Sequence, residues 1–191
     1  MMQNVFVTGN VGVGKSTLLR RIIDKSAPYQ HIYGFCTEKL SPDGKHGDTG
    51  KVYIYPASGK CIMQEPYCFA DMLGRQNFDL HAEVFDTIGI DLLSDIPRGS
   101  IVLMDELGFL ESSSPKFCGK VLEILNGDYL VLGAVKPRNI AFLDAVREHP
   151  KTALYEVTEQ NRDSLFSEIA IEFEKLLAQI NYANGSKQND R

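Results

Sequence analysis

The chain has 191 residues, 43% of them hydrophobic and 24% charged, a balance ordinary for a folded globular domain. Its 20 basic and 25 acidic residues leave a net charge of −5, which gives no electrostatic case for general nucleic-acid or anionic-membrane binding. No apolar stretch approaches the length of a membrane span, and the chain enters its first strand too early to hold a secretory signal, so a cytoplasmic location is expected.

In chain order, the first element is a strand predicted over about 3–8 around Val5-Phe6-Val7. Directly after it, Gly9-Asn10-Val11-Gly12-Val13-Gly14-Lys15-Ser16 satisfies G-x-x-x-x-G-K-[ST]. A helix follows over about 15–26, with Leu18, Leu19, Ile22 and Ile23 on one face. A strand that delivers a glycine-rich loop to a helix N-terminus is what a phosphate cradle requires. Gly9 lets the chain leave the strand sharply, while Gly12 and Gly14 allow close backbone approach. Amides from about Val11 to Thr17 then face the β-phosphate, with the helix dipole adding favourable potential. Lys15 is the mobile cation for the β- and γ-phosphates, Ser16 offers a hydroxyl to Mg²⁺, and Thr17 is placed for the α-phosphate. The expected ligand is a nucleoside triphosphate.

A second strand is predicted over about 30–38. Between 40 and 66, Lys51-Val52-Tyr53-Ile54-Tyr55 and Cys61-Ile62-Met63 flank a Ser58-Gly59 turn and predict an antiparallel hairpin extending the sheet edge. Tyr67 to Asn77 reads as a loop beside the active face, followed by a helix at about 78–95. Then come strand Ser100 to Met104, a helix near 115–126, strand Tyr129 to Val135, helix 139–148, strand Thr152 to Thr158 and a helix over about 161–181. The runs Ile101-Val102-Leu103-Met104 and Leu130-Val131-Leu132 are continuously apolar, as strands covered on both faces are. Strand and helix alternation predicts a three-layer α/β domain over 1–180, with a mainly parallel sheet, helices on both faces and the added hairpin at one edge. The polar segment 181–191 is expected to fray.

Ile101 to Met104 ends in Asp105-Glu106. An acid at the end of a buried strand suits a Mg²⁺ holder, which gives Asp105 and Ser16 to the metal. Glu106, one residue on, is placed to orient or deprotonate a water aimed at the γ-phosphorus. Asp105-Glu106-Leu107-Gly108 also satisfies the D-x-x-G of GTPase switches, but Ala134-Val135-Lys136-Pro137-Arg138 stands where N-K-x-D would read guanine, so guanine selectivity is not supported. Charge developing on the γ-phosphate needs cations. Lys136 and Arg138 are the leading choices, ahead of Arg147 and Arg162. Cys36, Cys61, Cys68 and Cys118 match no metal or redox spacing and read as reduced thiols; His31, His46, His81 and His149 are scattered and receive no role.

With these motifs placed, the chain resembles the thermophilic and cancer-related nucleoside-triphosphatases, a family of small P-loop proteins. The resemblance spans nearly the whole chain: the P-loop, Gly34-Phe35-Cys36-Thr37, the block Asp105-Glu106-Leu107-Gly108-Phe109-Leu110-Glu111, then Ser114, Phe117 and Val157-Thr158-Glu159-Gln160-Asn161-Arg162-Asp163. It implies Mg²⁺-dependent hydrolysis of nucleoside triphosphates to diphosphate and phosphate, broad base tolerance, slow turnover, and a base pocket lined by Asn161 and Arg162. Asn161 also suits the cap of the last helix, and both roles are compatible. The chain departs from the family at Phe109, where Lys is usual, and at Glu38-Lys39, where an acid-then-Arg pattern is usual.

Two rival functions stay open. One is a nucleotide or polynucleotide kinase whose acceptor pocket is built from the hairpin and the 67–77 loop. That reading lacks the Arg-rich lid kinases commonly use to exclude water, since only Arg75 falls between 40 and 77. The other is a nucleotide-dependent switch with negligible turnover.

Overall fold

Apolar strands separated by amphipathic helices lay down one eight-stranded sheet in the order β5-β4-β3-β2-β6-β7-β1-β8. The structure is a computed structural model that describes residues 4–26, 32–41, 48–74 and 76–188, so His31, His46 and Arg75 lie outside the described residues. The strands are β1 Asn4–Thr8, β2 Ile32–Leu40, β3 Thr49–Pro56, β4 Cys68–Leu73, β5 Phe78–Leu80, β6 Ile101–Leu107, β7 Leu130–Val135 and β8 Thr152–Glu156. The helices are α1 Lys15–Ser26, α2 Pro115–Asn126, α3 Ala141–Arg147 and α4 Arg162–Gln188. Strands β2, β6, β7, β1 and β8 run parallel, whereas β3, β4 and β5 add antiparallel to the β2 edge.

Period-two alternation sorts the core onto the two sheet faces. Val5, Val7, Ile101, Leu103, Leu130 and Leu132 pack with Leu18, Leu19 and Ile22 of α1 and with Ile169 and Phe173 of α4. Phe6, Val102, Met104 and Val131 pack on the other face with Phe117 and Val121 of α2, Leu143 and Val146 of α3, and Phe85. Helix α2 begins where its sequence signals it: the Ser114 hydroxyl accepts from the Phe117 N–H at 3.1 Å, and Pro115 stands in the first turn. Among the described residues, no helix is long and apolar enough to cross a membrane.

Four element assignments are corrected. The expected antiparallel addition stands at the β2 edge and is built of β3, β4 and β5, but Cys61-Ile62-Met63 belongs to no strand; Met63 is 71% exposed. After the Pro56–Gly59 turn, a short 3₁₀ turn at Glu65–Tyr67 resets the chain, and Cys68, Phe69 and Ala70 become the buried strand residues. The segment 67–77 is therefore chiefly β4 and its turn. Phe78-Asp79-Leu80 alternates half-buried and exposed and pairs as β5; helical structure starts only at 83 and includes a π-helical turn at Phe85–Gly89. Finally, α4 continues to Gln188, past the expected end near 181. Polar composition alone does not end a helix, and no proline follows Pro150.

Candidate functional site

Parallel strands present all their C-terminal ends at one edge of the sheet, where the connecting loops meet. Here β1 delivers the loop 9–14, β6 the acid pair, β2 delivers Thr37, β7 the segment 136–138 and β8 the segment 157–161. β7 lies between β1 and β6, as the reading of Lys136 and Arg138 requires.

The glycine loop approaches β8 closely. Gly9 has φ +141°, and a Cβ there would stand 2.3 Å from the Val157 carbonyl oxygen, so only glycine fits without moving backbone. Val13 is buried in the core, whereas Val11 is 89% exposed at the tip of the loop. Lys15 heads α1 and is 7% exposed. Its ammonium donates to the carbonyls of Gly9 at 3.1 Å and Asn10 at 3.0 Å, and lies 3.1 Å from Glu106 Oε1.

Ser16 and Asp105, 89 residues apart in the chain, are joined by a hydroxyl-to-carboxylate hydrogen bond of 2.9 Å. Asp105 is 3% exposed. Burial raises its carboxyl to about 6; the Ser16 hydroxyl opposes that shift, Glu106 adds to it, and Arg20 and Lys15 oppose it. Glu106 is held at its backbone by an N–H donated to Thr37 Oγ1 at 3.3 Å. Its carboxylate stands between two ammonium groups, Oε1 facing Lys15 at 3.1 Å and Oε2 facing Lys136 at 3.8 Å. Oε1 is buried and lacks an aligned hydrogen-bond donor despite the ion pair.

These groups line a cavity of about 690 Å³ bounded by Val11, Gly12, Gly14, Lys15, Ser16 and Thr17 on one side and Thr37, Glu38, Lys39, Asp105 and Glu106 on the other. Thr37 and Arg20 were missed as site residues by sequence reasoning. Arg20 had a signal, since it lies four residues after Ser16 on α1 and so on the same face. Thr37 had one only in hindsight of the sheet order, since β2 neighbours β6 in parallel.

Other expected residues fall elsewhere. Arg138 does not line this cavity; its guanidinium lies over the Phe109 ring, 4.6 Å from the centroid. Arg147 turns away from the cavity and donates to the carbonyls of Lys136 at 2.6 Å and Arg138 at 2.8 Å. The Asn161 side chain is engaged by its own loop, accepting from the Thr158 N–H at 2.8 Å and donating to the Glu156 carbonyl at 2.9 Å. Arg162 borders a separate cavity of about 300 Å³ with Gly14, Thr17, Leu18, Arg21 and Asp163. Glu111, within the acid-pair block, is 5% exposed and accepts from the Gly108 N–H at 2.8 Å. Burial raises Glu111 to about 7, with Lys136 opposing and Glu106 adding to the shift. Burial likewise pushes the Cys36 thiol up to about 12, which keeps it protonated.

A mainly parallel sheet whose first strand leads into a glycine loop, with an acid pair bonded to the first residues of the helix that follows, is an arrangement found in nucleotide-binding proteins. The sequence profile of the family described as NTPase matches residues 4–170, and the chain belongs to that family. It is 27% identical over 166 residues to the nucleoside-triphosphatase THEP1 of Thermotoga petrophila, covering 86% of this chain and 89% of that one. In fold it is similar to the crystal structure of THEP1 from Aquifex aeolicus, with a TM-score of 0.69 at 23% identity over 87% of this chain and 96% of that one. The solution structure of a human cancer-related nucleoside triphosphatase gives a TM-score of 0.71 at 21% identity, covering 91% and 98%.

Proposed function

We propose that the chain is a Mg²⁺-dependent enzyme that hydrolyses ATP, GTP and other nucleoside triphosphates to diphosphate and phosphate, with Glu106 orienting the attacking water. The observation that carries this reading is the 2.9 Å Ser16–Asp105 bond, with Lys15 and Glu106 paired 3.1 Å apart beside it. It brings cradle, metal ligands and water-orienting carboxylate to one cavity.

The donor set suits Mg²⁺. A hydroxyl and a buried carboxylate are hard oxygen donors, and the described residues contain no group of three or more His, Cys, Asp or Glu built as a metal cage. Mg²⁺ is commonly held in this way, by one or two protein oxygens completed by phosphate and water. When bound, it neutralises charge on the β- and γ-phosphate oxygens. Ser16 and Asp105 hold it. Lys15 exchanges its loop carbonyls and Glu106 for phosphate oxygens, which are better charge-assisted acceptors. That exchange leaves Glu106 Oε1 to accept a hydrogen bond from water, and the Thr37 hydroxyl keeps the Glu106 backbone in register. The water oxygen bonds to the γ-phosphorus, the bond to the β–γ bridging oxygen breaks, and Glu106 takes the proton. Arg138 supplies positive charge for the transferred group. Arg162 offers a guanidinium plane on the base side and Asn161 is committed to its loop, an arrangement that supports broad base tolerance. A cytoplasmic location belongs to the same proposal.

The test is phosphate release from ATP, GTP, CTP and UTP, with Mg²⁺ and with EDTA. Turnover on several of them, abolished by EDTA, is expected; nucleotide binding without phosphate release would overturn the proposal.

One feature favours a second reading, phosphoryl transfer. A neighbouring cavity of about 490 Å³ shares Arg20 and Glu38 with the triphosphate cavity and is also lined by Tyr55 and Lys60. Arg20 donates to Tyr55 Oη at 3.4 Å, and Tyr55 donates to Glu38 at 3.3 Å, forming the wall between the two. An acceptor would sit here, beyond α1, and not among residues 67–77. Diphosphate formation that depends on an added nucleoside or RNA end would establish this reading over hydrolysis.

A further inference from the structure

We propose that Phe109 and Arg147 are positioning residues that moor Arg138 outside the triphosphate cavity, two residues after the Lys136 that faces Glu106, so that its guanidinium swings to the γ-phosphate from a fixed base. The inference rests on the reading of Arg138 as a charge-stabilising cation.

Two contacts of different kinds make the mooring. Arg147, on α3, is 14% exposed and grips the segment after β7 with both terminal nitrogens, Nη1 on the Lys136 carbonyl at 2.6 Å and Nη2 on the Arg138 carbonyl at 2.8 Å; Asp144 holds the same guanidinium. The segment is tied on its other side by the Lys136 N–H, which donates to the Leu107 carbonyl of β6 at 2.9 Å. The backbone beneath Arg138 is therefore clamped between β6 and α3. Its side chain is exposed, and its guanidinium carbon lies 4.6 Å from the Phe109 ring centroid. Phe109 is half-buried, packs edge-on against Phe78 at 5.5 Å, and stands three residues after Glu106.

The two contacts differ in what they can release. A guanidinium held by two backbone carbonyls and the Asp144 carboxylate is tied at three points, whereas a cation over a half-exposed ring is weakly held compared with one bonded to phosphate oxygens. Phosphate charge therefore draws off the Arg138 side chain and leaves its backbone in place. The ring limits the directions sampled by a long, flexible side chain, so less conformational entropy is lost when it engages. Lys136, tied to the same clamp, keeps its ammonium 3.8 Å from Glu106.

The chain contains no tryptophan, so Phe109→Trp installs a single fluorophore that retains an aromatic face for Arg138. Steady-state phosphate release is measured for Arg138→Ala, Phe109→Leu, Phe109→Trp, Arg147→Ala, Arg147→Lys and the double variant Phe109→Leu with Arg138→Ala. Arg138→Ala is expected to lower kcat by about 100-fold. Phe109→Leu and Arg147→Ala are expected to lower kcat by roughly 5- to 20-fold with KM within about twofold, because they act through the transition-state cation alone. Phe109→Trp recovers most of the loss seen in Phe109→Leu. Arg147→Lys recovers little, because one ammonium does not span both carbonyls in the guanidinium's plane. The double variant is no worse than Arg138→Ala. Tryptophan emission changes when a non-hydrolysable triphosphate and Mg²⁺ are added, and the change is lost once Arg138 is Ala. Wild-type turnover in Arg138→Ala would overturn the role of Arg138 and this inference with it. Impaired Arg138→Ala beside unimpaired Phe109→Leu and Arg147→Ala would overturn the inference alone, as would an emission change that survives removal of Arg138.

Discussion

The two halves of the sheet solve different problems. In the parallel half, β2-β6-β7-β1-β8, helices cover both faces of the central strands, and β6, β7 and β1 are buried along nearly their whole length. In the antiparallel half, β3-β4-β5, one face is packed: Ile54, Phe69 and Ala70 lie in the cluster with Phe85, and the Phe69 and Phe85 rings stand 4.8 Å apart. The other face is covered only in part: Tyr55 packs into the cluster under α1 and Tyr53 is buried, while Lys51 forms ion pairs with Glu65 and Asp71 next to exposed Met63. Burial on both faces gives the first half the rigidity on which loops from five strands can converge within hydrogen-bonding distance. The second half extends the edge and reaches the neighbourhood of the site through Phe78, which packs on Phe109, and Tyr55, which bonds Arg20 and Glu38.

Core substitution should separate the halves most sharply. Phe6 is fully buried in β1, and its ring fills the space over Gly133, where a Cβ would come within 2.5 Å of it. Phe6→Ala is expected to cost about 3–5 kcal/mol in chemical denaturation. Leu73, 52% exposed near the end of β4, should cost under about 0.5 kcal/mol on replacement by Ser. Equal losses at the two positions would contradict the contrast between a doubly covered half and a partly covered one.

Catalysis should be confined to the parallel half. Glu106→Gln is expected to lower kcat by about 10²–10³-fold while a non-hydrolysable triphosphate binds within a few-fold of wild type, since the amide still occupies the site but is a poor proton acceptor. Turnover at the wild-type rate would remove Glu106 from the mechanism.

What could be read from sequence follows the same division. The meeting of Lys15, Ser16 and Asp105 at one cavity was legible because a glycine-rich loop and an acid pair each follow an apolar strand at short fixed spacing. Helix α2 falls at Pro115–Asn126, where a helix near 115–126 is expected, and the structure adds its Ser114 cap. Strand β4 was not: Cys68-Phe69-Ala70 lacks β-branched residues, and its identity depends on pairing with β3 and on burial against Phe85. The destination of Arg147 was illegible for a different reason. Its acceptors are backbone carbonyls, and every residue type offers one. The Phe109–Arg138 stack needed two strand ends, 29 residues apart, to be known neighbours.

Between the acid pair and α2, Glu111 gives a pH-dependent test of how tightly the parallel half is closed. Its carboxyl titrates at about 7 in the folded chain against an ordinary 4.5, so the folded state binds the proton more tightly. Stability should therefore fall as pH rises from about 4.5 to about 7 and then level off. Asp105 contributes in the same direction, but its window closes at about 6. Glu111→Gln keeps an acceptor for the Gly108 N–H and removes the titration. It should flatten the part of the decline that falls between pH 6 and pH 8, a wild-type loss of about 1.4 kcal/mol, and leave the variant at least as stable as wild type at pH 8. A decline of unchanged slope in denaturation at those two values would show that burial of Glu111 is not its cause.

The smallest effect concerns Asn161 and Arg162, neighbours that the structure separates by role. Asn161 bonds the Thr158 N–H and the Glu156 carbonyl in the turn that precedes α4, so Asn161→Ala should cost about 1 kcal/mol of stability, as loss of side-chain-to-backbone hydrogen bonds does. Nucleotide affinity should be barely altered, because neither side-chain bond reaches the P-loop. Arg162, bordering the cavity with Gly14 and Thr17, should show the reverse. Arg162→Ala should leave stability within about 0.5 kcal/mol and weaken triphosphate binding by roughly 3- to 10-fold, consistent with the loss of one exposed cationic contact. Calorimetric titration of both variants with a non-hydrolysable triphosphate, alongside their denaturation midpoints, makes the comparison direct. If Asn161→Ala lost affinity at unchanged stability, its amide would have to leave the loop to meet the base, and the end of β8 would be a moving part of the site.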